Sequence, residues 1–367
     1  MRGLRQRCVA AGVCIAAILS ASPPSHADEG VLRIMPSGDS LTQGIEGDRT
    51  WRFWLDQHLS TLAVPHDFVG NIRRTASLDW SSADEGYRPG ITFDTDHDGW
   101  GGAQLLDSEE AFAFRLWANR PDVWILQLGT NDIRYGNADA QALLAASARA
   151  VATARDGNPS IRIVLVTVLP MPGAHERNPV RYAFNEGLVS LAQSLSTAQS
   201  PVTVARTDLA VDPSAGTHDG VHLNAQGEYD YAAAISVALA ELGYVSAMPA
   251  YRVPGDLSPV APARLRKKKR TPYVSWPHVF SSDNYRLEYR PIRPKTQWQT
   301  LTTTVFRTQK VARALRTSGG SARFRVRWRR GDTTLAVSAP VVKRIRDYRP
   351  ITGSGSMRGA AKRVVRG

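Results

Sequence analysis

The stretch IMPSGDSLTQG, residues 34–44, decides the fold. An apolar run reaches Gly38 and then stops on Asp39-Ser40. A strand that only had to turn would end in Gly, Asn or Pro and carry on. A serine set where a strand should end is instead how open α/β sheets present chemistry, at the carboxyl ends of their strands.

Around this stretch, strand-like runs alternate with helical patterns over 31–242. The runs are VLRIMPS (31–37), HDFVGN (66–71), VWILQLGT (123–130), RIVLVTVLP (162–170) and VTVARTDL (202–209). They are short, apolar or β-branched, with little polar alternation, which suits strands buried on both faces. Amphipathic stretches lie near 50–63, 103–119, 138–156, 180–198 and 224–242. In AQALLAASARAVATAR (140–155), Leu143, Leu144, Ala148 and Val151 share one helical side. The alternation predicts a three-layer α/β/α sandwich around a parallel sheet.

The flanking segments differ. Arg2, Arg5 and Arg7 precede a mostly apolar run over 8–21, and Ser25-His26-Ala27 has a small-x-small pattern. Residues 1–27 therefore read as a secretory signal peptide, and the protein as secreted and extracellular. That run is too short to span a bilayer, and no later one is long enough, so no transmembrane segment is expected. Cys8 and Cys14, the two cysteines, leave with the signal, which excludes disulfide and thiol chemistry. The net charge of +13 hides two halves of opposite sign. Residues 28–250 hold 15 basic and 28 acidic residues and no lysine, whereas 251–367 hold 28 basic and 5 acidic.

The Gly-Asp-Ser turn has companions. The strand 123–130 runs into Gly129-Thr130-Asn131-Asp132. DTDHDGWGGAQL (94–105) carries Gly99, Gly101 and Gly102 ahead of a helix. THDGVHLNAQG (217–227) sets Asp219 and His222 three apart, off any long apolar face. These four blocks, in this order, resemble the SGNH, or GDSL-type, hydrolases over about 28–245. With WRFWLDQHL (51–59), HDFVGN (66–71) and the DxDHxGxxG loop, the set is similar to the acetyl-xylan-esterase branch of carbohydrate esterases. That branch usually has Glu where this chain has Asp98.

The resemblance implies Ser40 as nucleophile, His222 as general base and then acid, and Asp219 as the group that orients the imidazole. Ester hydrolysis needs those three roles, together with donors for the oxyanion. The donors implied are the Ser40 amide, the Gly102 amide and the Asn131 side chain. Thr42 stands where a G-x-S-x-G elbow needs its final glycine, which disfavours that rival fold. Asp39 reads as a turn former. No cofactor is expected, since the hydrolysis needs none. Asp94-x-Asp96-x-Asp98-Gly99 also matches the first half of a calcium loop, but the twelfth position is Leu105, where an EF-hand needs Glu. The other reading is an acidic loop shaping the site.

Residues 246–262 (SAMPAYRVPGDLSPVAP) read as a Pro/Ala linker. Beyond it come TPYVSW (271–276), NYRLEYR (284–290), WQTLTTTVF (298–306), ARFRVRW (322–328) and TLAVSAPV (334–341), an all-β spacing. With Trp276, Tyr285, Trp298 and Phe324 in place, 263–343 resembles a fibronectin type III domain, a small β-sandwich. The basic segment 344–367 is expected to be a disordered tail. In ARFRVRWRR, Arg323, Arg325 and Arg327 line one face, and residues 266–270 add RKKKR. This charge suits either a solvated spacer or adhesion to a polyanion. Acidic glycan and cell-wall polymer suit an exported esterase better than nucleic acid. Docking on the acidic half is a further reading.

The expected function is a secreted serine esterase acting on O-acetyl groups of a polysaccharide such as xylan. A lipase or lysophospholipase of the same fold is the alternative within enzymes. A surface-binding protein with a silent site is the alternative outside them.

Overall fold

The computed structural model describes residues 30–77, 82–253, 264–268, 271–275, 284–292, 297–305, 309–311, 317–330 and 333–347. The expected signal peptide, Trp276 and the chain beyond 347 lie outside these. From the N-terminal side the elements are β1 (Leu32–Gly38), α1 (Ser40–Gln43), α2 (Thr50–Thr61), β2 (His66–Phe68), β3 (Asp98–Gly99) and α3 (Leu105–Asn119). Then come β4 (Val123–Gln127), α4 (Thr130–Arg134), α5 (Ala140–Gly157), β5 (Arg162–Val166), α6 (Asn178–Leu195), β6 (Val202–Ala205), α7 (Thr207–Ala210), α8 (Pro213–Gly216) and α9 (Ala225–Glu241).

The sheet is parallel in the order β2-β1-β4-β5-β6, with β3 added to β1. The apolar runs become strands because both faces are covered. On one face Ile34, Val123, Ile125, Val164 and Val166 meet Trp51, Leu55, Tyr231 and Ile235 of α2 and α9. On the other, Met35, Trp124, Leu126, Ile163 and Leu165 meet Phe112, Leu143, Phe184 and Leu188 of α3, α5 and α6. This is the expected three-layer α/β/α arrangement. The chain leaves β1 for β2 on one side and later returns to β4 on the other. The carboxyl end of β1 is thus a switch point, where open sheets leave a crevice.

Residues 246–253, the described part of the expected linker, form no helix or strand but are tied down. Tyr251 packs near Trp54 and Tyr229, Val253 is buried, and Gln226 hydrogen-bonds both Tyr251 O and the Val253 N–H. Two apolar side chains outweigh the Pro/Ala composition around them.

The basic region is antiparallel throughout. Strands β7 (Arg264–Lys268), β8 (Thr271–Ser275), β9 (Asn284–Pro291), β10 (Gln299–Val305), β11 (Gln309–Val311), β12 (Thr317–Arg330), β13 (Thr333–Val337) and β14 (Val341–Asp347) form two sheets. One has the order β11-β8-β7. In the other, the order is β10-β9-β12-β13, and β14 pairs with the first half of β12. Pairing reaches Asp347 opposite Thr317, so the strand carries past residue 343, where a tail was expected.

Candidate active site

Ser40 opens α1 immediately past β1. Asp39 caps this one-turn helix by accepting the Leu41 N–H at 2.9 Å. It is a turn former, as expected. Gln127, at the end of β4, accepts from the Asp39 N–H at 3.2 Å and the Thr42 hydroxyl at 2.9 Å. Arg52 of α2, fully buried, donates to Thr42 O at 3.0 Å and Gln43 O at 3.3 Å. A helix this short cannot hold itself; a side chain from β4 and another from α2 lock it.

His222 arrives from the loop before α9. Thr217 and Leu223 bridge that loop, Gly220 turns at φ 87°, and Asn224 caps α9. One Asp219 oxygen accepts the N–H groups of Val221 and His222, at 2.9 and 2.8 Å. The other faces His222 Nδ1 at 2.8 Å. A carboxylate only accepts, so Nδ1 carries the proton and Nε2 is left as an acceptor. Nε2 lies 3.0 Å from Ser40 Oγ. Burial pushes Asp219 up, but the hydrogen bond and charge of His222 and the two amides outweigh it and hold the carboxyl well below its usual range.

Among the described residues, three N–H donors near Ser40 lack protein partners. Of the loop's glycine amides, Gly99 donates to His97 Nδ1 and Gly101 to Gln43 Oε1. The Gly102 N–H has no partner among the described residues, nor has that of Ser40. Asn131, in the first turn of α4, uses one Nδ2 hydrogen on Ala103 O at 3.0 Å and keeps the other. Gly102 has φ 82°, and nothing lies within 4 Å of where a Cβ would sit. Glycine is thus required there by the backbone angle, which L side chains rarely adopt.

The three aspartates of the candidate calcium loop do not come together. Among the described residues no three His, Cys, Asp or Glu side chains converge as a metal site would need. The three aspartates face different partners. Asp94 takes the Phe68 N–H at 2.7 Å, Asp96 pairs with Arg73 at 2.7 Å, and buried Asp98 pairs with Arg115 of α3 at 3.1 Å. Two of them are paired with arginines and the third with a backbone N–H, and the acidic loop braces the strand β3 that leads to Gly102.

Some of the site was not anticipated. His97 is fully buried between the Gly99 N–H and Arg74 O. Burial, with the nearby Arg52 charge, keeps its pKa well below the ordinary imidazole value, so it is a neutral clamp. Thr50 has φ 71°, an outlier for a β-branched residue. It lines a small cleft beside Ser40 and His222 with Leu41, Ile45 and Leu223. Such strain gathers at functional sites. The tripeptide Asp48-Arg49-Thr50 carries no sequence sign of it.

Burial pushes Asp39 up to about 6, against the Leu41 N–H, the Gln127 side chain and the His222 charge. Its folded pKa lies above the unfolded value, so its stabilisation is full below about pH 4 and is lost as pH rises through 6. Asp39→Asn keeps the cap and removes this titration. The unfolding free energy of the variant minus that of the unmodified chain is expected to rise by about 2 kcal/mol from pH 4 to pH 7 in denaturant titrations. A flat difference would show that the buried carboxyl titrates normally.

The parallel sheet, with a serine–imidazole–carboxylate chain at its switch point, has the architecture of an SGNH-type hydrolase. The model of the GDSL-like Lipase/Acylhydrolase family matches residues 37–228, more than half of the chain, and the protein belongs to that family. A multidomain esterase from Ruminococcus flavefaciens is 26% identical over 238 residues, 60% of this chain and 30% of that protein. The chain therefore matches less than a third of that relative's length. Among solved structures, a carbohydrate esterase family 3 protein from Talaromyces cellulolyticus is similar at 24% identity and TM-score 0.49, covering 57% of this chain and 97% of that one. A Clostridium thermocellum family 3 carbohydrate esterase is similar at 22% and 0.46, covering 57% and 96%.

Proposed function

We propose that the chain is an exported serine esterase that removes O-acetyl groups from a polysaccharide such as acetylated xylan. The observation that carries this reading is the unbroken contact chain Asp219–His222–Ser40 beside three N–H donors without partners among the described residues. Ser40 Oγ attacks the ester carbonyl while His222 Nε2 takes its proton. Asp219 stabilises the imidazolium that forms. The Ser40 and Gly102 amides and Asn131 Nδ2 receive the developing oxyanion, each donor worth roughly 3–4 kcal/mol in the transition state. His222 then protonates the departing sugar oxygen as its bond to the acyl carbon breaks, and the sugar leaves as the free alcohol. A water, deprotonated by the same nitrogen, releases acetate and restores Ser40.

Two features support a short acyl group on a sugar. The cleft beside Ser40 is small and is walled by Leu41, Ile45, Thr50 and Leu223. Trp100 and Tyr135 stand exposed on the two loops that flank the nucleophile, and flat aromatic faces suit sugar rings. Export rests on the pattern of residues 1–27.

The test is ester hydrolysis against acyl chain length, with acetate release from acetylated xylan measured in parallel. Highest kcat/KM on acetyl esters, with acetate released from xylan, is expected. Preference for long acyl chains, with none released from xylan, would place the enzyme among lipid hydrolases instead.

A further inference from the structure

The larger antiparallel sheet has one buried face and one charged face. Along β12, Ala322, Phe324, Val326 and Trp328 are buried, and Arg323, Arg325 and Arg327 alternate with them onto the other side. Register with β9 sets Arg323 opposite Arg290, Arg325 opposite Glu288, and Arg327 opposite Arg286. Two of these three rungs are arginine–arginine pairs. Like charges directly opposite on neighbouring strands destabilise a sheet. Folding alone gives no reason to keep them.

The middle rung shows how this face holds a carboxylate, and it draws on Arg327 of the next rung as well. Glu288 Oε2 accepts from Arg325 Nε at 2.5 Å, and Oε1 accepts from Arg327 Nε at 2.9 Å. One carboxylate is held by two guanidinium groups, a planar match that arginine makes better than lysine. Trp298 lies against the same face, its ring centre 4.2 Å from the Arg325 guanidinium carbon and 5.0 Å from that of Arg290. Such stacking fixes the direction of both forks. Arg286 Nε is buried with no hydrogen-bond partner among the described residues.

We infer that this face binds a carboxylate-bearing polysaccharide, with uronate groups seated at the Arg290–Arg323 and Arg286–Arg327 rungs as Glu288 is seated between them. The rungs stand roughly 13–14 Å apart along β12. A polymer reaches both, a single uronate only one, so chain length raises affinity through effective concentration. Single-stranded nucleic acid would need an open aromatic face for its bases, and two cations already cover Trp298. The inference does not depend on the reading of the active site.

The test measures binding of the full chain to polygalacturonate, monomeric galacturonate, unsubstituted neutral xylan, and single- and double-stranded DNA. Beside it stand the double variant Arg290→Gln/Arg323→Gln, which spares both partners of Glu288, and the matching Lys double variant. The unmodified chain is expected to bind polygalacturonate well above monomer and neutral xylan, and to lose most of that affinity between about 0.05 and 0.5 M salt. The Gln pair weakens it about tenfold, and the Lys pair falls between. Hydrolysis of a small soluble acetate ester stays unchanged in both variants, which separates this face from the esterase. Equal binding by the Gln pair, equal binding to neutral xylan, or tighter binding to either DNA would overturn the assignment.

Discussion

Ser40→Ala, His222→Ala and the double variant are expected to hydrolyse an acetyl ester at one common residual rate, roughly 10⁴- to 10⁶-fold below the unmodified chain. The reason is mechanical. Ser40 Oγ and His222 Nε2 are 3.0 Å apart, and in the proposed mechanism they share one proton transfer, so removing either ends the same step. Groups that act as a unit do not lose activity additively. In the proposed mechanism, what survives comes from the Ser40 amide, the Gly102 amide and Asn131, which still polarise a bound carbonyl for attack by water. The fold should be spared. The turn that carries Ser40 is held by Asp39, Gln127 and Arg52 through groups other than the Ser40 hydroxyl. Thermal unfolding midpoints within a few degrees of the unmodified chain, alongside purified-enzyme kcat values, check both halves. A double variant far slower than either single one would mean that the residues contribute to separate steps. A Ser40→Ala enzyme retaining more than about a hundredth of the rate would remove the serine mechanism.

The parts of this site that sequence reveals are those fixed by local chemistry. The buried runs of β1 and β4 end in Gly38 and Gly129, and polar residues follow at once. Asp219-x-x-His222 is one turn, so its geometry is nearly set by spacing. What sequence hides is long-range. Gln127 lies in the middle of VWILQLG and reads as a stray polar residue, yet it holds the Asp39 turn from 88 positions away. Arg52 sits in an amphipathic helix and reads as a surface charge, yet it is fully buried against α1. The partners of the Asp94–Asp98 loop are hidden for the same reason. Its spacing is local and fits calcium, but its partners are Phe68, Arg73 and Arg115, brought in by the sheet and by α3. The arginine face is intermediate. Alternation along ARFRVRW predicts it, while the facing rungs come from register with β9 and need the fold.

Asp219→Asn is the second large effect, a loss of roughly 10⁴-fold in kcat with the fold intact. Asparagine preserves the shape, and its carbonyl oxygen can keep the amides of Val221 and His222 that Asp219 Oδ1 accepts now. Its NH₂ group then faces His222 Nδ1, where a carboxylate oxygen stands at 2.8 Å. A donor in that place demands an acceptor, so the ring proton moves to Nε2. Nε2 then offers a hydrogen to Ser40 Oγ and can no longer take one. The base is lost through the tautomer, without displacement of the ring. Protonating Asp219 would have a similar result, but its carboxyl is held well below the usual range and stays charged across any practical assay pH. Because that pKa is depressed, its stabilising contribution is present above the unfolded value and fades only as pH falls below it. The loss in Asp219→Asn should therefore be about the same at pH 6 and pH 8. Proton NMR of the imidazole ring separates this account from a merely structural one, by reporting the proton at Nε2 in the variant and at Nδ1 in the unmodified chain. An Asp219→Asn enzyme with the proton still at Nδ1 would place the loss in the loop geometry instead.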